Sequence, residues 1–228
     1  MRENEERAYD DIQEHQDLHD DLVTVAHQHN VNTLALINNF IVQQQQYLSE
    51  PLSLESSEKC SRVIASLSAL ENCLLYQGDG LVADLRKLTD SIFSDLLKQS
   101  PVDPSSIITI NDVTSEMVPA ELASLLAVFI HEAVENAFVH AFDESSPANY
   151  VQVSLAVSPG GSNDFQDAYS LTISDSGIGI PIHLKPETSD TQGMGMMQAI
   201  ATRLNGSLQI SVNEGTQVSL SIPITMQL

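Results

Sequence analysis

The stretch Leu125 to Phe142, LLAVFIHEAVENAFVHAF, constrains this chain more than any other. Leu126, Ile130, Val134, Ala137 and Ala141 recur at helical spacing, which predicts a long amphipathic helix. Glu132, Asn136 and His140 recur every four residues, so a carboxylate, a carboxamide and an imidazole project in one row. Such a row can bind a metal ion, orient water or contact phosphate. Taken alone it is equally the solvated face of a surface helix.

The surroundings narrow the choice. The 228 residues suffice for one large or two small domains. The formal charge of −22 repels nucleic acid and anionic membranes, which argues against both as partners. An anionic ligand would then need local backbone amides, a helix N-terminus or a metal ion. No run approaches the roughly 18 apolar residues of a membrane span, and the polar N-terminus is unlike a signal peptide, so a cytoplasmic location is expected. Cys60 and Cys73 fall in a helical stretch and read as thiols rather than a disulfide or metal pair.

In chain order, residues 1–14 form a charged lead-in. From about Gln16 to Leu48 runs a helical pattern without Pro or Gly, its apolar side including Leu22, Val25, Val31, Leu34 and Ile41. Ser49-Glu50-Pro51 breaks it, and a second helix is expected over Leu54–Tyr76. Two long helices with a short connection make an antiparallel hairpin, which a homodimer completes as a four-helix bundle. Gln77-Gly78-Asp79-Gly80 reads as a turn and Val82–Lys98 as a third helix; Pro101 and Pro104 mark the expected boundary between a 15–100 helical domain and a 101–228 domain.

The second half changes character. Strands are expected at 107–110, 150–157, 171–174, 207–212 and 216–223, with Asn213-Glu214-Gly215 as a hairpin turn. Pro119 is read as opening the central helix, residues 180–192 as a polar loop and Gly195–Leu204 as a helix. This mixture predicts an α/β sandwich, a mixed sheet with helices on one face.

Three glycine-bearing elements follow the polar row. Asp175-x-Gly177-x-Gly179 comes directly after a strand, which delivers a carboxylate to a pocket floor where glycines let backbone approach a ligand. Gly193-Met194-Gly195 opens a helix whose free amides and dipole favour phosphate. Gly215-Thr216 closes the set. In order and spacing the four elements resemble the ATP-binding domain shared by histidine kinases, gyrase-type topoisomerases and heat-shock chaperones, over about residues 105–224.

That resemblance implies an ATP- and Mg²⁺-dependent site. Asn136 matches the asparagine that holds Mg²⁺ against the phosphates, Glu132 the acidic residue of the same box, and His140 its closing position. Asp175 matches the aspartate that accepts a hydrogen bond from the adenine amino group, with Gly177 and Gly179 beside it. Gly193 and Gly195 fall at the phosphate glycine box, where Gly193 can also be its second glycine with Thr191 in the first slot, and Thr216 falls near the base. Two departures are Val139, where many such kinases carry a basic residue, and a short loop from Ile180 to Gln192 whose only Lys or Arg is Lys185. Nucleotide binding is therefore expected to be modest and Mg²⁺-dependent.

Residues 18–98 resemble the dimerisation and histidine-phosphotransfer segment of histidine kinases, nearest the subclass with a His-Arg-x-Lys-Asn box. Aligned on Asn32-Thr33-Leu34-Ala35, the acceptor slot falls on Gln28, flanked by His27 and His29. Glutamine cannot form a phosphoramidate, so the acceptor is His29, His27 or His19, or the slot is dead. The resemblance implies a homodimeric kinase that autophosphorylates and then serves a response-regulator receiver domain. The alternative is a pseudokinase that binds a regulator without phosphorylating itself.

Overall fold

The computed structural model describes residues 64–78, 80–99, 103–114, 116–142, 149–158, 168–179 and 192–224. The expected first helix, with His19, His27 and His29, lies outside the described residues, as do Cys60 and the loop at 180–191. Helical residues 64–71 (α1) lead into strands Leu74–Gln77 (β1) and Gly80–Asp84 (β2), then helix Leu85–Gln99 (α2). A 3-10 turn at Pro104–Ser106 precedes Ile107–Asp112 (β3) and Met117–Pro119 (β4). Helix Ala120–His140 (α3) is followed by strands Asn149–Ser158 (β5) and Ala168–Asp175 (β6). Helix Gln192–Arg203 (α4) and strands Ser207–Val212 (β7) and Thr216–Pro223 (β8) complete the order.

The large sheet runs β3-β5-β6-β8-β7, with β3 parallel to β5 and the remaining pairs antiparallel, the mixed sheet the sequence predicts. Its register explains the core. Val153, Ile173, Val218 and Ile210 form one row across four strands, and Leu155, Leu171, Leu220 and Leu208 the next. The alternate row is Ser154, Thr172, Ser219 and Gln209, in which the Thr172 and Ser219 hydroxyls meet at 3.3 Å. Period-two alternation thus sends aliphatic side chains inward and hydroxyls outward.

α3 is buried on nearly every side. Each residue from Ala123 to Val134 is buried, beyond the single apolar stripe its periodicity suggests. The sheet covers one side while α2 and α4 cover others. By length and composition this helix could cross a membrane, but 78% of its apolar window is buried inside the protein, as in a core helix.

Three local expectations change. Leu74–Gln77 is a strand, not the end of a helix: Gly78, at φ +60, turns the chain so that β1 pairs antiparallel with β2. Val82 and Ala83 belong to β2, and α2 starts only at Leu85. Asp84 caps that start, its Oδ1 accepting from the amides of Arg86 at 3.0 Å and Lys87 at 3.2 Å. Pro119 is the last residue of β4, with ψ 141, because it pairs with Val82; helical conformation begins at Ala120. Strand pairing between β2 and β4 therefore spans the Pro101–Pro104 stretch, and the Leu85 amide donates to the Glu116 carbonyl at 3.0 Å. Cys73 is a free, buried thiol, pushed above its ordinary pKa by burial and then by the Asp84 charge.

Candidate functional site

Asp175 ends β6, buried where the sheet meets the last turn of α3. Its Oδ1 accepts from the Gly177 amide at 2.8 Å and the Thr216 amide at 3.1 Å. Burial raises the Asp175 pKa, while those amides and the Thr216 hydroxyl pull it down. A buried carboxylate with one oxygen fixed by two amides is oriented for recognition, not left to sample rotamers.

Glycine is required around it for space. A Cβ on Gly177 would run into the Ala141 carbonyl, and one on Gly215, at φ +122, into the Asp175 carbonyl. Gly179 has φ +73, and a Cβ there would lie 2.7 Å from Val212 Cγ1. The Ile178 amide donates to the Ala141 carbonyl at 2.9 Å, and the Ser176 amide and hydroxyl bridge to the Tyr150 backbone. The Asp-x-Gly-x-Gly turn is thereby fastened to α3, β5 and the β7–β8 turn at once.

The polar row of α3 runs from inside to outside. Glu132 is 4% exposed, Asn136 half-buried and His140 exposed. Gly193, in the first turn of α4, lies against the inner part of the row. A Cβ there would come 2.7 Å from Glu132 Oε2 and 3.5 Å from Asn136 Nδ2. Gly195 is exposed with open space beside it. α4 begins at Gln192, three residues earlier than expected, which puts Gly193 in its first turn.

α3 joins the two groups. Ala141, which meets Gly177, is five residues beyond Asn136, or about 7.5 Å along a helix. Asp175, Gly177, Gly179 and Thr216 thus gather at one end of α3, with Asn136 about a turn and a half away and Glu132, beside Gly193, about one turn further. Among the described residues no three His, Cys, Asp or Glu side chains group as a metal centre. The oxygen donors of Glu132 and Asn136 suit a hard cation that draws its other ligands from water or phosphate. Sequence reasoning missed Ala141, Tyr150 and Val212, which act through backbone or bulk and leave no motif.

The chain thus holds a carboxylate at a strand end and sets a glycine-opened helix against an acid–amide row. Residues 125–226 match the model of the histidine kinase-, DNA gyrase B- and HSP90-like ATPase family, and this segment is a histidine kinase-type ATPase domain. Over 197 residues the chain is 26% identical to the sensor histidine kinase PdtaS of Mycolicibacterium smegmatis and 24% to that of Mycobacterium tuberculosis. Those alignments cover 85% of this chain but only 38% and 37% of the relatives, so the chain spans under two-fifths of their length. The fold is similar to that of the blue-light activated histidine kinase EL346 of Erythrobacter litoralis, at a TM-score of 0.66 and 20% identity over 88% of this chain and 64% of that one. The separate histidine kinase domain of that protein gives 0.62 and 20% over 86% and 87%.

Proposed function

We propose that this chain is the core of a two-component histidine kinase, binding ATP with Mg²⁺, phosphorylating its own histidine and passing the phosphoryl group to a response-regulator aspartate. The observation that carries the reading is the convergence of the Gly177 and Thr216 amides on Asp175 Oδ1 beside α3. Asp175 Oδ2 would accept the adenine amino group, and Gly177, Gly179 and Thr216 would border the base. Gly193 and Gly195 would admit the phosphates to the α4 N-terminus, with His140 at the outer edge. Asn136 would hold Mg²⁺, whose charge offsets that of the phosphates. Glu132 would orient water or the attacking imidazole.

In the transfer, an imidazole nitrogen lone pair attacks the γ-phosphorus in line and the bond to the β–γ bridging oxygen breaks. ADP leaves and the imidazole gives up its N–H proton. His29, His27 and His19 are the proposed acceptors in that order. His29 reads as H-x-V-N-T; His19 has Asp20 beside it as a general base. Asn32 or Thr33 would position water for the reverse activity. A cytoplasmic homodimer of the His-Arg-x-Lys-Asn subclass, joined through residues 15–100 and with 101–228 as the ATP-binding domain, completes the proposal.

The second reading, a pseudokinase that engages a regulator without autophosphorylation, draws on Gln28 and on Val139, an exposed aliphatic at a position often basic in such kinases. Calorimetric titration with ATP, with and without Mg²⁺, tests the shared nucleotide step. Binding that requires Mg²⁺ supports it; submicromolar binding without metal contradicts the assigned role of Asn136.

A further inference from the structure

β7 is an open edge of the large sheet. Sheet edges are ordinarily kept unpaired by charge, proline or a bulge. Ser207–Val212 carries no charge and no proline, and it pairs with β8 in unbroken register. None of its residues is buried. The Thr216 amide is turned towards Asp175 in β6, and so away from β7. In an antiparallel ladder its partner Val212 is then turned away from β8, and by period two so are Ile210 and Leu208. The N–H and C=O groups of these three residues therefore face the open edge.

We propose that β7 pairs antiparallel with β7 of a second copy of this chain, across a two-fold axis at Ile210, joining two five-stranded sheets into one. Charge selects this occupant. Over residues 203–214 the only charged side chains are Arg203, before the strand, and Glu214, after it, and both are exposed. Antiparallel pairing brings each towards the opposite charge of the other copy, whereas parallel pairing would bring like towards like. The segment is thus neutral and self-complementary in a chain of charge −22, most of whose surface repels a second copy. β3, the opposite edge, carries Asp112 and no base.

Centring the pair on Ile210 uses all three outward-turned residues. Leu208 meets the partner's Val212, Ile210 its own counterpart and Val212 the partner's Leu208, giving about six backbone hydrogen bonds. A two-fold axis perpendicular to the sheet keeps inner face beside inner face. Leu208 and Ile210 pack against the core on that face, but Val212 is 48% exposed. Val212 ends the row Val151, Asp175, Thr216, Val212, so the partner's Leu208 covers it at the flank of the candidate site. This joint is separate from the proposed one through residues 15–100.

The test uses the full chain with Cys60→Ser, leaving Cys73 buried. In this register Gln209 and Ser211, on the outer face, oppose each other as a non-hydrogen-bonded pair, with Cα atoms about 4.5 Å apart and within disulfide reach. Tagged Gln209→Cys mixed with untagged Ser211→Cys under mild oxidation should give the mixed disulfide at about tenfold the yield of either self-pair. Arg203→Glu in both chains should lower that yield about threefold, and Arg203→Glu with Glu214→Arg should restore it. No mixed disulfide, or a statistical mixture of mixed and self-pairs, would overturn the proposal. Amide exchange in the unsubstituted chain, read residue by residue, tests it without any variant. Leu208, Ile210 and Val212 should be protected in concentrated solution and lose about tenfold of that protection on dilution, while Gln209 and Ser211, bonded to β8, hold theirs. Free exchange of the three in concentrated solution would overturn it too. No nucleotide enters these experiments, so absent ATP binding would count against the proposed activity and not against the pairing.

Discussion

The Thr216 amide donates to Asp175 Oδ1 at 3.1 Å across 41 residues of sequence, joining the start of the last strand to the end of β6. Asp175→Asn keeps an acceptor for that amide and for Gly177, but its Nδ2 cannot accept a proton from the adenine amino group. The expected outcome is an ATP affinity lower by about 10- to 100-fold, on the order of 1.4–3 kcal/mol, with the fold retained. Titration with a fluorescent nucleotide, alongside circular dichroism, checks both halves.

The same substitution carries a pH signature. Burial raises the Asp175 pKa above the ordinary 3.8, so the folded state favours the protonated acid. Whatever stability this group supplies is therefore complete below about pH 3.8 and is lost as pH rises through the folded pKa. At neutral pH the buried charge costs stability, and Asp175→Asn should raise Tm by about 1–4 °C. The difference should shrink as pH falls towards 4, measured by thermal melts across a pH series.

The glycines divide by what surrounds them. Gly177→Ala and Gly215→Ala press a methyl group into backbone carbonyls and should each cost about 2–4 kcal/mol in urea unfolding. Gly195→Ala meets open space within a helix and should be neutral or stabilising by up to about 1 kcal/mol.

Gly193→Ala separates binding from folding. Its Cβ would meet the end of the Glu132 side chain, which can shift, so unfolding should move by less than about 1 kcal/mol. ATP affinity should nonetheless fall about tenfold, because the methyl group disturbs the acid–amide row. A loss of stability as large as that for Gly215→Ala would contradict this reading.

Much of the fold could be read because the strands of the second half alternate so regularly that register and period agree. The β1–β2 hairpin could not: Leu70, Leu74 and Leu75 fit a helical period as readily as a strand, and only Gly78 and the distant pairing with β4 decide the matter. Reading Val82–Lys98 as one helix passed over Asp84, which caps α2 from one residue before its start. At the site, Asp175, Gly177 and Gly193 were marked by motif order, and the structure gives each a tight contact. Ala141 acts through its backbone carbonyl, a role that depends on which segments meet in space.

In the proposed reaction phosphate moves from ATP bound beside Asp175 and Asn136 to a histidine of the same protein. Incubation with γ-labelled ATP and Mg²⁺, followed by acid and base treatment, tests it most directly. The expected result is acid-labile, base-stable label that disappears in Asp175→Asn and in one of His29→Ala, His27→Ala and His19→Ala. Nucleotide binding without any such label would contradict it and leave the pseudokinase reading standing.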